Sequence, residues 1–339
     1  MSYQANRPKI ERPAIVPNGA AYCEISAARE AREFVFLLVP GFTFLAFAAA
    51  IDPLRIANQL AQRPLYRWSV YSEAGEPVES SCGISLNVDG KLSDIRLSSV
   101  LFICSGLVPT AHAGAETLAS MRRHARFGGI CGGICTGAFS LARAGLLHGH
   151  KVTLHWENQP AFSEIYPEIN VTPALFEEDR KIVTCGGGSA AADMMLSFLT
   201  RDHGPAFAGM VADMCLSGAP RPPETRQRAS ISHFLGSRNR HLMRAIQVMR
   251  DFMEAPLDAE EIARRVGTSK RQLERLFKAR FQVGPSRYYR NLRLDHGRAL
   301  LHDTDLAVTE ISEACGFSSP TTFARSFRLR FGHAPNDTR

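Results

Sequence analysis

The last hundred residues of the chain contain one pattern of apolar, glycine, serine and arginine positions twice. The first copy comprises Ile262, Gly267, Ser269, Leu273, Arg275 and Phe277, and the second comprises Ile311, Gly316, Ser319, Phe323, Arg325 and Phe327. The spacing from isoleucine to serine is one residue longer in the second copy, which places a single insertion in its turn. A short apolar helix, a glycine turn and a serine-capped second helix predict a helix-turn-helix.

The capping and face pattern of each second helix supports this prediction. Ser269 and Ser319 can accept hydrogen bonds from first-turn amides, and Pro320 suits the first helical position. Polar side chains occupy the face opposite the leucine and phenylalanine positions: Lys270, Arg271, Glu274, Arg275 and Lys278 in the first copy, and Thr321, Thr322, Arg325 and Arg328 in the second. A single helix of this kind is equally well explained as a solvated surface, but two phased copies favour a binding function.

The charge of the chain is concentrated in the same region. Residues 221–339 hold 22 Lys and Arg against 13 Asp and Glu, whereas residues 1–220 hold 18 against 20. A basic module beside a nearly neutral one indicates a polyanionic partner for the basic module alone.

Residues 241–339 resemble the DNA-binding domain of AraC-type transcriptional regulators. The resemblance extends through Gly284-Pro285, Arg293-Leu294, Cys315-Gly316-Phe317 and Phe331-Gly332. It implies double-stranded promoter DNA as partner, with contacts from Lys270, Arg271, Glu274, Arg275, Thr321, Thr322 and Arg325. Gly297 is a departure, because it replaces a helix former at an expected cost of about 1 kcal/mol.

Strand-like and helix-like segments alternate through the rest of the chain. Strands are predicted at 34–39, 68–72, 100–104, 129–134 and 181–185, and helices at 45–60, 116–124, 137–144 and 190–200. This alternation predicts an α/β doubly wound domain with a mostly parallel sheet. The apolar run 34–51 is divided by Pro40-Gly41 into a strand and a helix, which argues against a membrane span.

The turn between the strand at 129–134 and the following helix contains a cysteine flanked by small residues. Cys135 lies within Gly-Gly-Ile-Cys-Thr-Gly-Ala, a composition that permits a tight elbow at the carboxyl end of a strand, where ligand sites form. Such a thiol can act as a nucleophile or be a bland buried residue. His155 and Trp156 follow downstream, and His155 is as well explained by a structural role as by ligand contact.

Residues 129–156 resemble the class I glutamine-amidotransferase-like (PfpI-type) superfamily, in which an elbow cysteine faces a histidine and an acidic residue. The resemblance implies Cys135, His155 and, by position, Asp52 as vestigial catalytic candidates. Thr136 departs from the peptidase branch, which has histidine there. The ligand-binding residues expected in this domain are Asp52, Cys135, His155 and Trp156.

Together the two resemblances identify the chain as a GlxA-type AraC regulator. We predict a flexible arm over 1–30, an amidotransferase-like ligand-sensing domain over 31–216, a linker over 217–237 and a DNA-binding domain over 238–339, with helix-turn-helix motifs at about 258–279 and 307–330. Similarity to regulators of amine and amino-acid catabolism implies an amine, betaine or amino acid as effector, for example glycine betaine, carnitine or arginine.

The predicted function is a cytoplasmic, homodimeric transcription activator that works with RNA polymerase and uses no cofactor or metal. Eight cysteines without paired CxxC motifs favour free thiols over a zinc site. The alternative is a cysteine-dependent amidase or glyoxalase-like enzyme, with Cys135 as nucleophile and His155 as base, tethered to a DNA-binding domain.

Overall fold

The computed structural model describes residues 14–25, 30–106, 113–227 and 239–338. By their internal contacts the residues form two compact units. The N-terminal unit comprises Met1–His155 and Glu168–Thr225, and the C-terminal unit comprises Trp156–Pro167 and Arg226–Arg339. The sequence placed 156–167 in the first domain, whereas the structure groups this short segment with the second.

The N-terminal unit is an α/β domain. Its strands are β1 (Arg32–Leu38), β2 (Tyr66–Ser72), β3 (Val78–Glu79), β4 (Ser85–Leu86), β5 (Gly90–Lys91), β6 (Val100–Cys104), β7 (Ile130–Ile134), β8 (Lys151–Val152), β9 (Asn170–Val171), β10 (Phe176–Asp179) and β11 (Ile182–Cys185). Its helices are α1 (Phe44–Ala61), α2 (Ala115–Arg126), α3 (Ala138–Arg143), α5 (Ala190–His203) and α6 (Pro205–Met214), with a 3-10 turn at Leu92–Asp94.

A seven-stranded sheet organises this unit in the order β10-β11-β7-β6-β1-β2-β5. All neighbours are parallel except the edge pair β10 and β11. The central strands are buried on both faces, which explains why they appear in the sequence as continuous apolar runs. The predicted α/β fold is confirmed, and the apolar run 34–51 is β1 followed by the start of α1. In the described part of the chain no helix is long and apolar enough to cross a bilayer.

The sequence predicted a flexible arm over residues 1–30. Residues 14–25, which the structure describes, contact the rest of the N-terminal unit. The Asn58 side-chain amide donates to the Ile15 carbonyl at 3.0 Å, and the Cys23 amide donates to the Leu60 carbonyl at 2.8 Å. Asn58 is fully buried, so its amide needs acceptors, and the chain before β1 supplies one of them.

The C-terminal unit is entirely helical. It contains α4 (Gln159–Ile165), α7 (Arg240–Asp251), α8 (Ala259–Arg265), α9 (Lys270–Phe281), α10 (Pro285–Asp303), α11 (Val308–Ala314) and α12 (Pro320–Phe331), with a 3-10 turn at Pro335–Thr338. Helices α8 and α9 form the first helix-turn-helix, and α11 and α12 form the second. We call α9 and α12 the recognition helices.

The two turns have the geometry that the repeat predicted. Gly267 and Gly316 adopt φ of 70° and 64°, a region in which a residue with a Cβ is strained. The Ser269 hydroxyl accepts from the Gln272 amide and the Ser319 hydroxyl from the Thr322 amide, each at 3.2 Å. Both predicted serine caps are therefore confirmed.

Helix α10 joins the two motifs and packs closely against the second one at Gly297. A Cβ placed on Gly297 would lie 2.7 and 2.9 Å from ring atoms of Phe323 and 3.2 Å from the Cys315 sulfur. Phe323 is fully buried, so its ring has little freedom to move. The glycine that the sequence presents as a propensity cost is therefore what allows α10 and α12 to approach each other.

We expect Gly297→Ala to destabilise the C-terminal unit. The helix propensity gain of about 1 kcal/mol is outweighed by an overpacking cost of about 1–3 kcal/mol, which leaves a net loss of about 1 kcal/mol. Urea denaturation of the full chain, followed by circular dichroism, measures this change.

Gly209→Ala is the matched control, because Gly209 is a helical glycine of α6 with open space around its Cβ position. This substitution should stabilise the chain by up to about 1 kcal/mol. A stabilising effect of both substitutions would show that the contact between Gly297 and Phe323 imposes no steric constraint.

Candidate functional site

The recognition helices present the polar residues that the sequence selected for DNA contact. Lys270, Arg271, Glu274, Arg275, Thr321, Thr322 and Arg325 are all solvent-exposed. The opposite faces bury Leu273 and Phe277 in the first motif and Phe323 and Phe327 in the second. Each recognition helix is therefore held by its apolar face and leaves its polar face available for a ligand.

Helix α10 fixes the second motif through charged side chains as well as through packing. Arg293 donates from Nη1 to the carbonyl of Cys315 at 3.2 Å and to that of Gly316 at 2.7 Å, and its guanidinium lies 4.7 Å from the Phe317 ring centroid. These contacts hold the turn that contains the inserted residue. Arg330 of α12 pairs with Asp295 of α10 at 2.6 Å.

The elbow at Cys135 has the conformation that the sequence predicted. Cys135 follows β7 directly and adopts φ of 61°, which is strained for a residue with a side chain. Its amide donates to the Cys185 carbonyl at 3.1 Å, and its carbonyl accepts from the His155 amide at 3.2 Å. The two hydrogen bonds of Cys135 therefore connect the ends of β7 and β11 to the segment that contains His155.

Cys135 also contacts two residues that were not predicted as site residues from the sequence. The Thr43 hydroxyl donates to the Cys135 sulfur at 3.4 Å, and a Cβ on Gly187 would lie 2.9 Å from the Cys135 Cβ. Thr43 follows the Pro40-Gly41-Phe42 turn, and Gly187 lies in a triple-glycine turn, so both motifs were visible in the sequence. The thiol that they surround is only 6% exposed.

The remaining predicted site residues lie in other places. Asp52 pairs with Arg55 on the exposed side of α1 and is the ninth residue after Thr43, a rise of about 13 Å along the helix. Trp156 belongs to the C-terminal unit, where its amide donates to Gln227. Thr136 is buried and donates its hydroxyl to the Gly106 carbonyl at 2.7 Å. The structure thus joins the backbones of Cys135 and His155 by a hydrogen bond, and Asp52 lies farther along α1.

The thiols differ widely in exposure and in pKa. Burial raises the pKa of Cys131, Cys185 and Cys315 to about 12. Cys82 is exposed, and a hydrogen bond with Ser80 lowers its pKa. Within the described ranges, histidine, cysteine and carboxylate side chains form no group of three or more that is arranged to hold a metal ion.

Comparison with family models assigns a known type to each part of the chain. A helix-turn-helix domain model matches residues 262–339, and the DJ-1/PfpI family model matches residues 50–201. The first match covers both recognition helices, and the second covers the Cys135 elbow and most of the parallel sheet.

The chain aligns with known transcriptional regulators over nearly the whole length of both proteins. The chain is 42% identical over 308 residues to the HTH-type transcriptional regulator CdhR of Pseudomonas aeruginosa, with 91% of each chain covered. It is 39% identical over 317 residues to the HTH-type transcriptional regulator GlxA of Rhizobium meliloti, with 93% of this chain and 97% of the relative covered.

A solved structure supports the fold of one part of the chain. An AraC family transcriptional regulator from Pseudomonas putida aligns with a TM-score of 0.50 and 27% identity. The alignment covers 54% of this chain and 99% of that one.

We expect Cys82 to account for the fast phase when the native chain reacts with a disulfide reagent at pH 8, because the thiolate is the reacting species. Cys82→Ser should remove that phase, whereas the matched Cys135→Ser should leave it intact. The absorbance of the thiol released from the reagent measures the fast phase in both variants. Loss of the fast phase in Cys135→Ser instead would identify Cys135 as an activated nucleophile.

Proposed function

Because this chain belongs to the GlxA-type AraC transcriptional regulators, which join a DJ-1/PfpI domain to a helix-turn-helix domain, we propose that it activates amine or amino-acid catabolic genes in response to a small nitrogenous metabolite. The observation that supports this proposal most directly is the pair of capped recognition helices carried by one continuous helix, α10. The fold of the N-terminal unit supports the sensing role.

The dimensions of α10 suit tandem insertion into DNA. Its 19 residues span about 28 Å, and successive major-groove segments on one side of B-DNA lie about 34 Å apart. The polar faces differ in chemistry, with Arg271, Glu274 and Arg275 on α9 and with Thr321 and Arg325 on α12. Arginine suits guanine and glutamate suits cytosine, so we propose that α9 reads a segment rich in G·C pairs.

The effector site that we propose is the region around Cys135, which we call the Cys135 pocket. In this region the Thr43 hydroxyl contacts the Cys135 thiol, and the His155 backbone amide contacts the Cys135 carbonyl. It lies at the carboxyl end of the sheet, where ligands bind in parallel α/β domains. Glycine betaine, carnitine and arginine are the candidate effectors, on the basis of the sequence resemblance to regulators of amine catabolism. Asp52 has no part in this pocket, because it lies too far along α1.

The strained elbow at Cys135 favours one alternative, an amidase or glyoxalase-like activity. A nucleophilic cysteine needs a base within hydrogen-bond reach. The candidate base is His155, whose backbone amide donates to the Cys135 carbonyl. Against this activity, the thiol is buried under Gly187, and Thr136 uses its hydroxyl for the Gly106 carbonyl. We therefore favour binding without turnover.

The regulator acts, in this proposal, as a homodimer that contacts RNA polymerase at the promoter. Effector binding changes how the recognition helices engage DNA by shifting the balance between two conformations.

We expect Arg275→Ala and Arg325→Ala each to weaken binding to a duplex selected by the wild-type chain from a random pool. Loss of a bidentate base contact costs about 1–3 kcal/mol, or about 5- to 150-fold in Kd. Fluorescence anisotropy at fixed salt measures the change.

Arg122→Ala, on the exposed part of α2, is the control for loss of one positive charge. It should leave the affinity nearly unchanged. If all three variants bind the duplex as tightly as the wild-type chain does, the recognition helices do not read the duplex through Arg275 and Arg325.

We expect one of glycine betaine, carnitine or arginine to raise the melting temperature of the chain, because a ligand that binds only the folded state stabilises it. Cys135→Ala should retain the shift if the pocket binds without covalent chemistry. Loss of the shift together with formation of a product would favour the enzyme alternative.

A further inference from the structure

Residues Trp156–Pro167, which we call the strap, connect the two units in an unexpected way. Along the chain the strap follows His155 directly, yet it is part of the C-terminal unit, and the chain returns to the N-terminal unit at Glu168. The segment after the Cys135 contact therefore belongs, by its contacts, to the body that carries the recognition helices.

The strap is anchored by apolar packing. Its helix α4 buries Ala161 completely, in the same cluster as Leu300 of α10 and Phe323 of α12. Phe162 is also fully buried, and its ring lies 5.0 Å from that of Tyr166. The strap thus contributes to the core of the second helix-turn-helix.

A buried polar contact fixes the register of this packing. Asn158 donates its side-chain amide to Oδ2 of Asp303, the last residue of α10, at 2.8 Å. Asn158 is 7% exposed and Asp303 is 4% exposed, so partners within the protein replace water for both side chains. The other carboxylate oxygen of Asp303 lies 2.8 Å from Nδ1 of His302. A hydrogen bond to a buried carboxylate contributes more than a neutral one.

We propose that the strap transmits the state of the Cys135 pocket to α10, with the hydrogen bond between Asn158 and Asp303 as its point of attachment. A ligand that moves the His155 amide relative to the Cys135 carbonyl also displaces the backbone that leads, three residues later, to Asn158. Because α10 carries both recognition helices, a change at its last turn alters how they bind DNA. This inference rests on the proposed sensing role of the pocket.

The test perturbs the pocket without an effector and measures amide hydrogen exchange by mass spectrometry in the full chain. Gly187→Ala forces a methyl group against Cys135, and Thr43→Ala is a milder change that removes the hydroxyl contact. We expect either variant to change exchange in the last turn of α10 by about 2- to 30-fold, which corresponds to a typical coupling energy.

Asn158→Ala should abolish this transmitted change when combined with either pocket variant. Asn336→Ala, an exposed asparagine of the same unit, should preserve it. A purely structural role for Asn158 would raise exchange in α10 but leave the response to the pocket variants intact.

If the pocket variants change exchange around Cys135 while α10 stays as in the wild type, the proposed coupling is wrong. This outcome is distinct from failure of the proposed function, which would appear as absence of a selected duplex or of any effector-induced thermal shift.

Discussion

The close approach of α10 to α12 is the constraint on which the DNA-binding part of the molecule depends. Gly297 admits the Phe323 ring, Arg293 holds the turn before α12, and Asp295 pairs with Arg330 near its end. Steric, hydrogen-bonded and ionic contacts along one helix thus determine the position of the second recognition helix. The first motif packs on the opposite half of the same helix, through Tyr289.

The N-terminal unit positions its elbow cysteine through backbone geometry and close packing. The elbow keeps a cysteine at positive φ, and Gly187 keeps the close packing above it. The neighbouring position is occupied by a buried threonine with a satisfied hydroxyl, and the acidic candidate lies elsewhere on α1. The result is a closely packed cysteine, only 6% exposed, at the carboxyl end of the sheet.

The sequence predicted those features that local rules control. The caps at Ser269 and Ser319, the glycine turns and the apolar central strands follow from spacing and residue type, and the structure confirms them. Edge strand β10 was missed because Phe-Glu-Glu-Asp is polar at a partly solvated edge. The attachment of α4 was missed because Asn158 and Asp303 are 145 residues apart and neither sequence neighbourhood reveals the other. The Thr43 contact with Cys135 is likewise non-local.

The single residue inserted in the second turn makes the tandem repeat unsymmetrical. In that turn Phe317 follows Gly316 and lies under the Arg293 guanidinium, whereas Thr268 follows Gly267 in the first motif. Ala324 of α12 also stands where α9 has Glu274. One protomer therefore cannot be turned end to end on DNA and present the same surface. The two recognition helices of one protomer are therefore not interchangeable in the surface that they present.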